Sequence, residues 1–185
     1  MHPQCFLLKP FPGEGNPAGV TIGGSIARRA DTLSVRYEVR GNLSKLSIPA
    51  AAEAPRRMDR LWEETCLELF LGTVDSAEYR EFNLSPAGHW NVYRFDRYRE
   101  GMREEPAFTS LPFAVRIGPE ALELSMELDV GKFIPAGKTI EAGAAAVVKT
   151  VEKSTNYWAL THPGPRPDFH RGENFALEFP PGQSP

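Results

Sequence analysis

Hydrophobic and polar positions alternate with a period of two along most of this chain, and the alternation is clearest over residues 61–96. Leu67, Leu69 and Leu71 fall on one face of a strand whose other face carries Cys66, Glu68 and Phe70. In the next run Phe82 and Leu84 oppose Tyr79, Glu81, Asn83 and Ser85. Ser85-Pro86-Ala87-Gly88 supplies a turn, because proline pre-sets its φ and glycine accepts a positive one. A third run then sets Asn91, Tyr93 and Phe95 against Trp90, Val92 and Arg94. The pattern predicts a three-stranded meander with one core face. Its other face mixes carboxylates, amides and aromatics, an unusual composition for a surface that meets only solvent.

The same period recurs elsewhere. Residues 33–39 alternate cleanly, with Leu33, Val35, Tyr37 and Val39 inward. Phe113 to Ile117, a Gly118-Pro119 turn, and Leu122, Leu124, Met126 and Leu128 between acidic positions read as a hairpin. Segments 5–8, 20–27, 156–160 and 175–179 are further strand candidates, and 46–48 a brief edge piece. Residues 138–151 are ambiguous: Ala144-Ala145-Ala146 favours helix by propensity, while Val147-Val148 and the neighbouring segments favour a buried strand, and strand is expected. Residues 97–106 are highly charged and predict a solvated connection with one helical turn. Seventeen prolines and sixteen glycines interrupt every long stretch. Roughly ten short strands and few or no helices predict an all-β fold, a two-sheet antiparallel β-sandwich of immunoglobulin-like or jelly-roll type. No linker or repeat divides the chain, so one domain is expected over 1–185, with 181–185 as a tail.

Composition narrows the functional classes. A length of 185 residues, with 41% hydrophobic and 24% charged positions, suits one globular domain. A net charge of −3 gives no electrostatic case for nucleic acid. No apolar run approaches the 18 residues or so of a membrane-spanning helix, so no membrane partner is expected. The start, Met1-His2-Pro3-Gln4, lacks the basic and apolar regions of a secretory signal. With Cys5 and Cys66 as the only cysteines, the expectation is reduced thiols and a cytoplasmic protein.

Several constellations could carry chemistry. Trp62, Trp90 and Trp158 are the only tryptophans. Indole faces stack on the apolar faces of sugar rings while neighbouring carboxylates and amides bond the hydroxyls, yet tryptophans of a sandwich also serve as core. Glu68 and Glu81 could project from neighbouring strands, as a hydrolase's carboxyl pair must, although outward acidic residues on strands are common. His162, Asp168 and His170 supply two imidazoles and a carboxylate, a set able to hold iron, but all three come from a single proline-stiffened loop. Calcium could use carboxylates and carbonyls, without any calcium-loop spacing being present. Cys66 has no histidine near it in sequence and reads as a small interior residue. No phosphate-binding glycine loop, CxxC pair or HExxH occurs.

Two of these stretches carry a resemblance. Trp62, the acidic Glu68 six positions on, and Tyr79-Arg80-Glu81-Phe82-Asn83-Leu84-Ser85-Pro86-Ala87-Gly88 resemble the DOMON-like superfamily, in particular its branch similar to family 9 carbohydrate-binding modules. The Tyr157-Trp158-Ala159-Leu160 segment, His162-Pro163 and Asp168-Phe169-His170 are similar to the late block of its stand-alone bacterial members. The resemblance implies a β-sandwich that binds a saccharide or sugar-like small molecule without catalysis. Trp62 and Trp158 would sandwich the ring and Glu68 would accept from a hydroxyl, with Asn83, Glu81 and Arg94 as further candidates. Other DOMON branches bind haem through Met and His, which makes haem or another redox cofactor the alternative. A hydrolase or metal-dependent enzyme is the remaining one.

Overall fold

The computed structural model describes residues 2–16 and 18–181; most of the expected tail, 182–185, lies outside the described residues. In chain order the strands begin with β1 (Gln4–Leu7), β2 (Lys9–Pro10), β3 (Thr21–Arg29) and β4 (Thr32–Arg40). The central meander is β5 (Cys66–Thr73), β6 (Tyr79–Leu84) and β7 (Trp90–Phe95), followed by β8 (Arg103–Glu104), β9 (Phe113–Ile117) and β10 (Ala121–Asp129). β11 (Ile140–Lys149), β12 (Thr155–Ala159) and β13 (Leu177–Phe179) complete the set among the described residues. They form two antiparallel sheets. The five-stranded one has the order β1-β3-β4-β10-β9; the eight-stranded one runs β2-β12-β11-β5-β6-β7-β8, with β13 beside β11.

The period-two pattern sets the core. Leu67, Leu69, Leu71, Phe82, Leu84, Trp90 and Val92 face Leu33, Val35, Tyr37, Val39, Leu122, Leu124 and Met126 across the sandwich, all buried. Tyr37 ties the layers directly, its hydroxyl donating to the backbone oxygen of Glu68 at 2.6 Å. A phenol this deep needs that acceptor, because an unpaired buried hydroxyl is costly.

β11 resolves the ambiguity of the alanine run in favour of strand. It lies between β5 and β12, and both of its faces are covered. Ala142, Ala144 and Ala146 look into the sandwich, while Ala145 and Val147 look outward into a second apolar cluster. Helix propensity loses here because a central strand buried on both sides has room for small side chains and neighbours for every backbone group. The closest approach is at Gly143, where a Cβ would stand 2.8 Å from the carbonyl oxygen of Asn174. Gly143→Ala is therefore expected to push the 172–174 turn off the strand. Calorimetric unfolding should show a loss of about 1–3 kcal/mol, the usual cost of an overpacked contact.

One segment departs from expectation. Residues 97–106 form no helical turn; the chain reverses tightly at Arg97–Glu100 and returns as β8 beside β7. The reversal needs positive φ at Arg99 (54°) and Gly101 (70°). Asp96 holds it shut, accepting from Arg103 Nη2 at 2.7 Å and Nη1 at 3.0 Å. A Cβ on Gly101 would sit 2.1 Å from an Asp96 carboxylate oxygen and would have to displace that side chain, and a φ of 70° favours glycine in any case. The connection is thus a stiff arch, and it projects Arg99 and Met102 over the sheet.

Candidate functional site

The outer face of the eight-stranded sheet is covered where solvent would be expected. Phe70, Tyr79, Tyr93, Phe95, Val147 and Phe169 form its apolar cluster, with Trp62, Tyr157 and Phe175 packed against them. Strand alternation puts Glu68 and Glu81 into this aromatic surface. Glu68 pairs with Asn83 on one side and Ala145 on the other, and Glu81 pairs with Phe70 and Tyr93. The two glutamates are therefore diagonal neighbours on adjacent strands, about 7–8 Å apart at their backbones.

A cleft of about 320 Å³ opens above the pair. Trp62 forms one wall, presented by a short 3-10 turn (Leu61–Glu63) and set edge-on against Tyr93 at 5.6 Å. The 161–176 loop contributes Pro167, Phe169 and His170, and β12 contributes Tyr157. Arg99 and Met102 close the side formed by the arch. A larger groove, about 540 Å³, lies over Gly23 and Gly24 on the outer face of the five-stranded sheet. Its Arg36, Arg116 and Glu123 stand in solvent, whereas the smaller cleft holds two nearly buried carboxyls.

Those perturbations have separable causes. Burial pushes the Glu68 carboxyl well above the usual range, the Glu81 charge adds to this, and Arg99 opposes it. Burial also raises Glu81, to about 7, against the downward pull of its hydrogen bond from Asn83 Nδ2 (2.8 Å) and of Arg99. Burial and then Arg99 lower His170 to about 4. Its Nδ1 pairs with the Tyr79 hydroxyl at 2.8 Å, and its Nε2 stands 3.7 Å from Glu81. At neutral pH the imidazole is uncharged, so this last contact is not an ion pair. Arg99 donates to Asp168 at 2.9 and 3.2 Å, and Tyr98 donates to the other oxygen at 2.5 Å. Burial alone would raise Asp168, but these bonds outweigh it and hold the carboxyl below its ordinary value.

Of the residues singled out from sequence, Trp62, Glu68, Glu81 and His170 come together at the cleft. Asn83 lies behind them, fully buried, positioning Glu81 and accepting from the Cys66 thiol at 3.6 Å. Trp158 does not join them. It pairs with Ala146 and is wedged between the sheets, 3% exposed, with its indole N–H unpartnered among the described residues. No two-tryptophan sandwich exists; the aromatic of β12 that faces the cleft is Tyr157, one position earlier. Arg94 also points elsewhere, since its parity matches Trp90 and Val92, and its Nε donates to Glu78 at 3.0 Å.

The proposed metal set does not converge either. His162 Nε2 is hydrogen-bonded to the Lys9 carbonyl at 2.8 Å, while Asp168 is engaged by Arg99. Among the described residues no group of three or more His, Cys, Asp or Glu could hold a metal ion. Met102 and His170 do line one cleft, the side-chain types a haem would use. They do not fit as an axial pair, because one imidazole nitrogen is bonded to Tyr79 and the other faces the Glu81 carboxylate. Sequence reasoning missed Tyr157, Phe169, Arg99 and Met102. Alternation along β12 sets Tyr157 and Trp158 on opposite faces without saying which of them meets the cleft; the other three sit on loops that no periodicity places.

No protein-family model and no curated protein matches this chain. Among solved structures, the fold is similar to that of a candidate carbohydrate-binding protein from Bacteroides uniformis. The TM-score is 0.67 at 17% identity, covering 93% of this chain and 84% of that one. It is also similar to a family 9 carbohydrate-binding module from Caldicellulosiruptor kristjanssonii in complex with cellotriose. There the TM-score is 0.50 at 11% identity, with 84% and 72% of the two chains covered. The likeness is one of fold: the two-sheet architecture is similar to that of the family 9 modules.

Proposed function

We propose that this chain is a single non-catalytic module that binds a saccharide in the cleft above Glu68 and Glu81, within the DOMON-like superfamily. The observation that carries the reading is the juxtaposition in one cleft of aromatic walls, Trp62 and Tyr157, with two nearly buried carboxyl acceptors. A sugar ring is apolar on its faces and polar at its edge. It can lie against the aromatic walls while its hydroxyls donate to the glutamates below. The fold shared with a module captured with cellotriose supports the same reading, although a fold alone does not fix a function.

Hydrolysis is the less favoured use of the pair. A glycosidase sets its two carboxyls on opposite sides of the scissile bond and keeps one of them ionised. Here both rise from one floor, and burial pushes both upward.

Titration with a panel of mono- and disaccharides is expected to change the tryptophan fluorescence through Trp62. Trp62→Ala should remove that response while the protein remains folded. Wild-type fluorescence and calorimetry unmoved by every sugar in the panel would overturn the proposal.

A further inference from the structure

The cleft holds two carboxyls without an uncommitted counter-ion, and a neutral sugar does not supply one. Glu68 is 3% exposed and Glu81 4%. Among the described residues nothing donates a hydrogen bond to the Glu68 carboxylate, and Glu81 receives one, from Asn83. The charged and titratable groups facing the pair can be followed element by element. β5 adds the Cys66 thiol, which burial pushes up and keeps neutral. β6 adds Tyr79, pushed up to about 12 by burial, and β7 adds Tyr93 beside Glu81, which burial likewise pushes up; both are neutral. β11 presents Ala145 and Val147, which carry no charge. The 161–176 loop brings His170, uncharged at neutral pH, and Asp168. The arch brings Arg99, the one cation lining the cleft among the described residues, and Asp168 already holds it through two hydrogen bonds.

Two buried carboxyls thus share a site in which no cation is uncommitted. Hydroxyl donors satisfy lone pairs but bring no charge, whereas an ammonium supplies three donors and a full positive charge. The faces of Trp62 and Tyr157 would add a further attraction for a cation. We propose that the cleft selects saccharides bearing a free primary ammonium group, amino sugars, over their neutral or N-acylated counterparts. This rests on the saccharide-binding reading above and refines it.

The proposal has a proton signature. Burial keeps the pair partly protonated, Glu81 up to about 7, and an ammonium docked on it reverses that shift. Binding therefore releases protons near pH 7. Affinity falls in acid as the carboxyls protonate, and falls again above about pH 8, where an amine loses its proton.

The test is calorimetric titration of the wild-type chain at neutral pH with glucosamine, glucose, N-acetylglucosamine and choline, in two buffers of different ionisation enthalpy. Glucosamine is expected to bind about tenfold more tightly than glucose or N-acetylglucosamine, the gain of a charge-assisted over a neutral hydrogen bond. Its proton release should depend on the glutamates. Glu81→Gln and Glu68→Gln should weaken both sugars and bring the glucosamine-to-glucose ratio toward one, with unfolding curves confirming that each variant is folded. Equal affinity for glucose and glucosamine would overturn the charge selection while leaving saccharide binding intact. Binding of choline alone, or of none of the four, would overturn both.

Discussion

Raising the pH from about 5 to about 8 is expected to destabilise this protein, the reverse of ordinary acid denaturation. The cause is the buried pair of glutamates. Glu81 titrates at about 7 in the folded chain and near 4.3 when unfolded. Between those values the folded state holds a proton that the unfolded state has lost, so its stabilising effect is complete in acid and disappears as pH rises through 7. Glu68 is raised well above its ordinary value and acts in the same direction. His170 opposes them. Its folded value of about 4 lies below the unfolded one near 6.5, so its contribution is lost as pH falls between those limits. Across about pH 4.5–6.5 one glutamate and the histidine offset each other, which leaves the second glutamate to set the slope. Between about 6.5 and 7 the histidine no longer compensates and stability falls more steeply.

Denaturant titrations at half-unit pH steps would check the sign. Glu81→Gln should remove about 3 kcal/mol of the acid-to-neutral difference, the size of a shift of two to three pH units. His170→Gln should unmask the full downward slope between about 4.5 and 6.5. A wild-type curve that rises steadily from pH 5 to 8 would show that the pair is not held protonated by burial. If the amino-sugar selectivity holds, saturating glucosamine should flatten the slope, because the ligand stabilises the ionised form.

Replacing the two tryptophans that the family resemblance pairs is expected to give opposite phenotypes. Trp158→Ala empties a site between the sheets, against the alanine-lined face of β11. A cost of about 3–5 kcal/mol follows from lost burial and the cavity left behind. Trp158→Phe should cost much less, since it keeps most of the packing and removes an indole N–H that has no partner among the described residues. Trp62 is only half-buried, at the margin of the outer apolar cluster, where its ring meets Tyr93 edge-on. Trp62→Ala should leave stability within about 1 kcal/mol and weaken sugar binding by about 2 kcal/mol, as for other aromatic anchors. Thermal melts and fluorescence titrations of the two variants separate these outcomes. A Trp158→Ala protein that melts like wild type but binds no sugar would restore Trp158 to the site and contradict its place in the core.

Local pattern determined a good deal. The alternation in 66–71, 79–85 and 90–95 assigned each residue of the meander to its correct face. It thereby put Glu68 and Glu81 on the face of neighbouring strands that mixes carboxylates, amides and aromatics. Side-chain period is a property of the backbone itself, and a strand with one apolar face has only one way to present it. The sandwich followed from the number and brevity of such strands. Family-like motifs in the same stretches led to an architecture that the solved structures share.

Tertiary structure decided the rest. Whether an aromatic of β12 faces ligand or core depends on which neighbour it pairs with. Register against Ala146 and Val147 sent Trp158 inward and Tyr157 outward. Arg99, Met102 and Phe169 reach the cleft from loops whose paths are set by long-range contacts, such as the Asp96–Arg103 pair and the Arg99–Asp168 bonds. Periodicity carries no information about such paths. Burial made the glutamates chemically distinctive, and burial is a sum over neighbours distant in sequence. The chain's own pattern could nominate these carboxyls, but only the folded surroundings could withhold water and counter-charge from them.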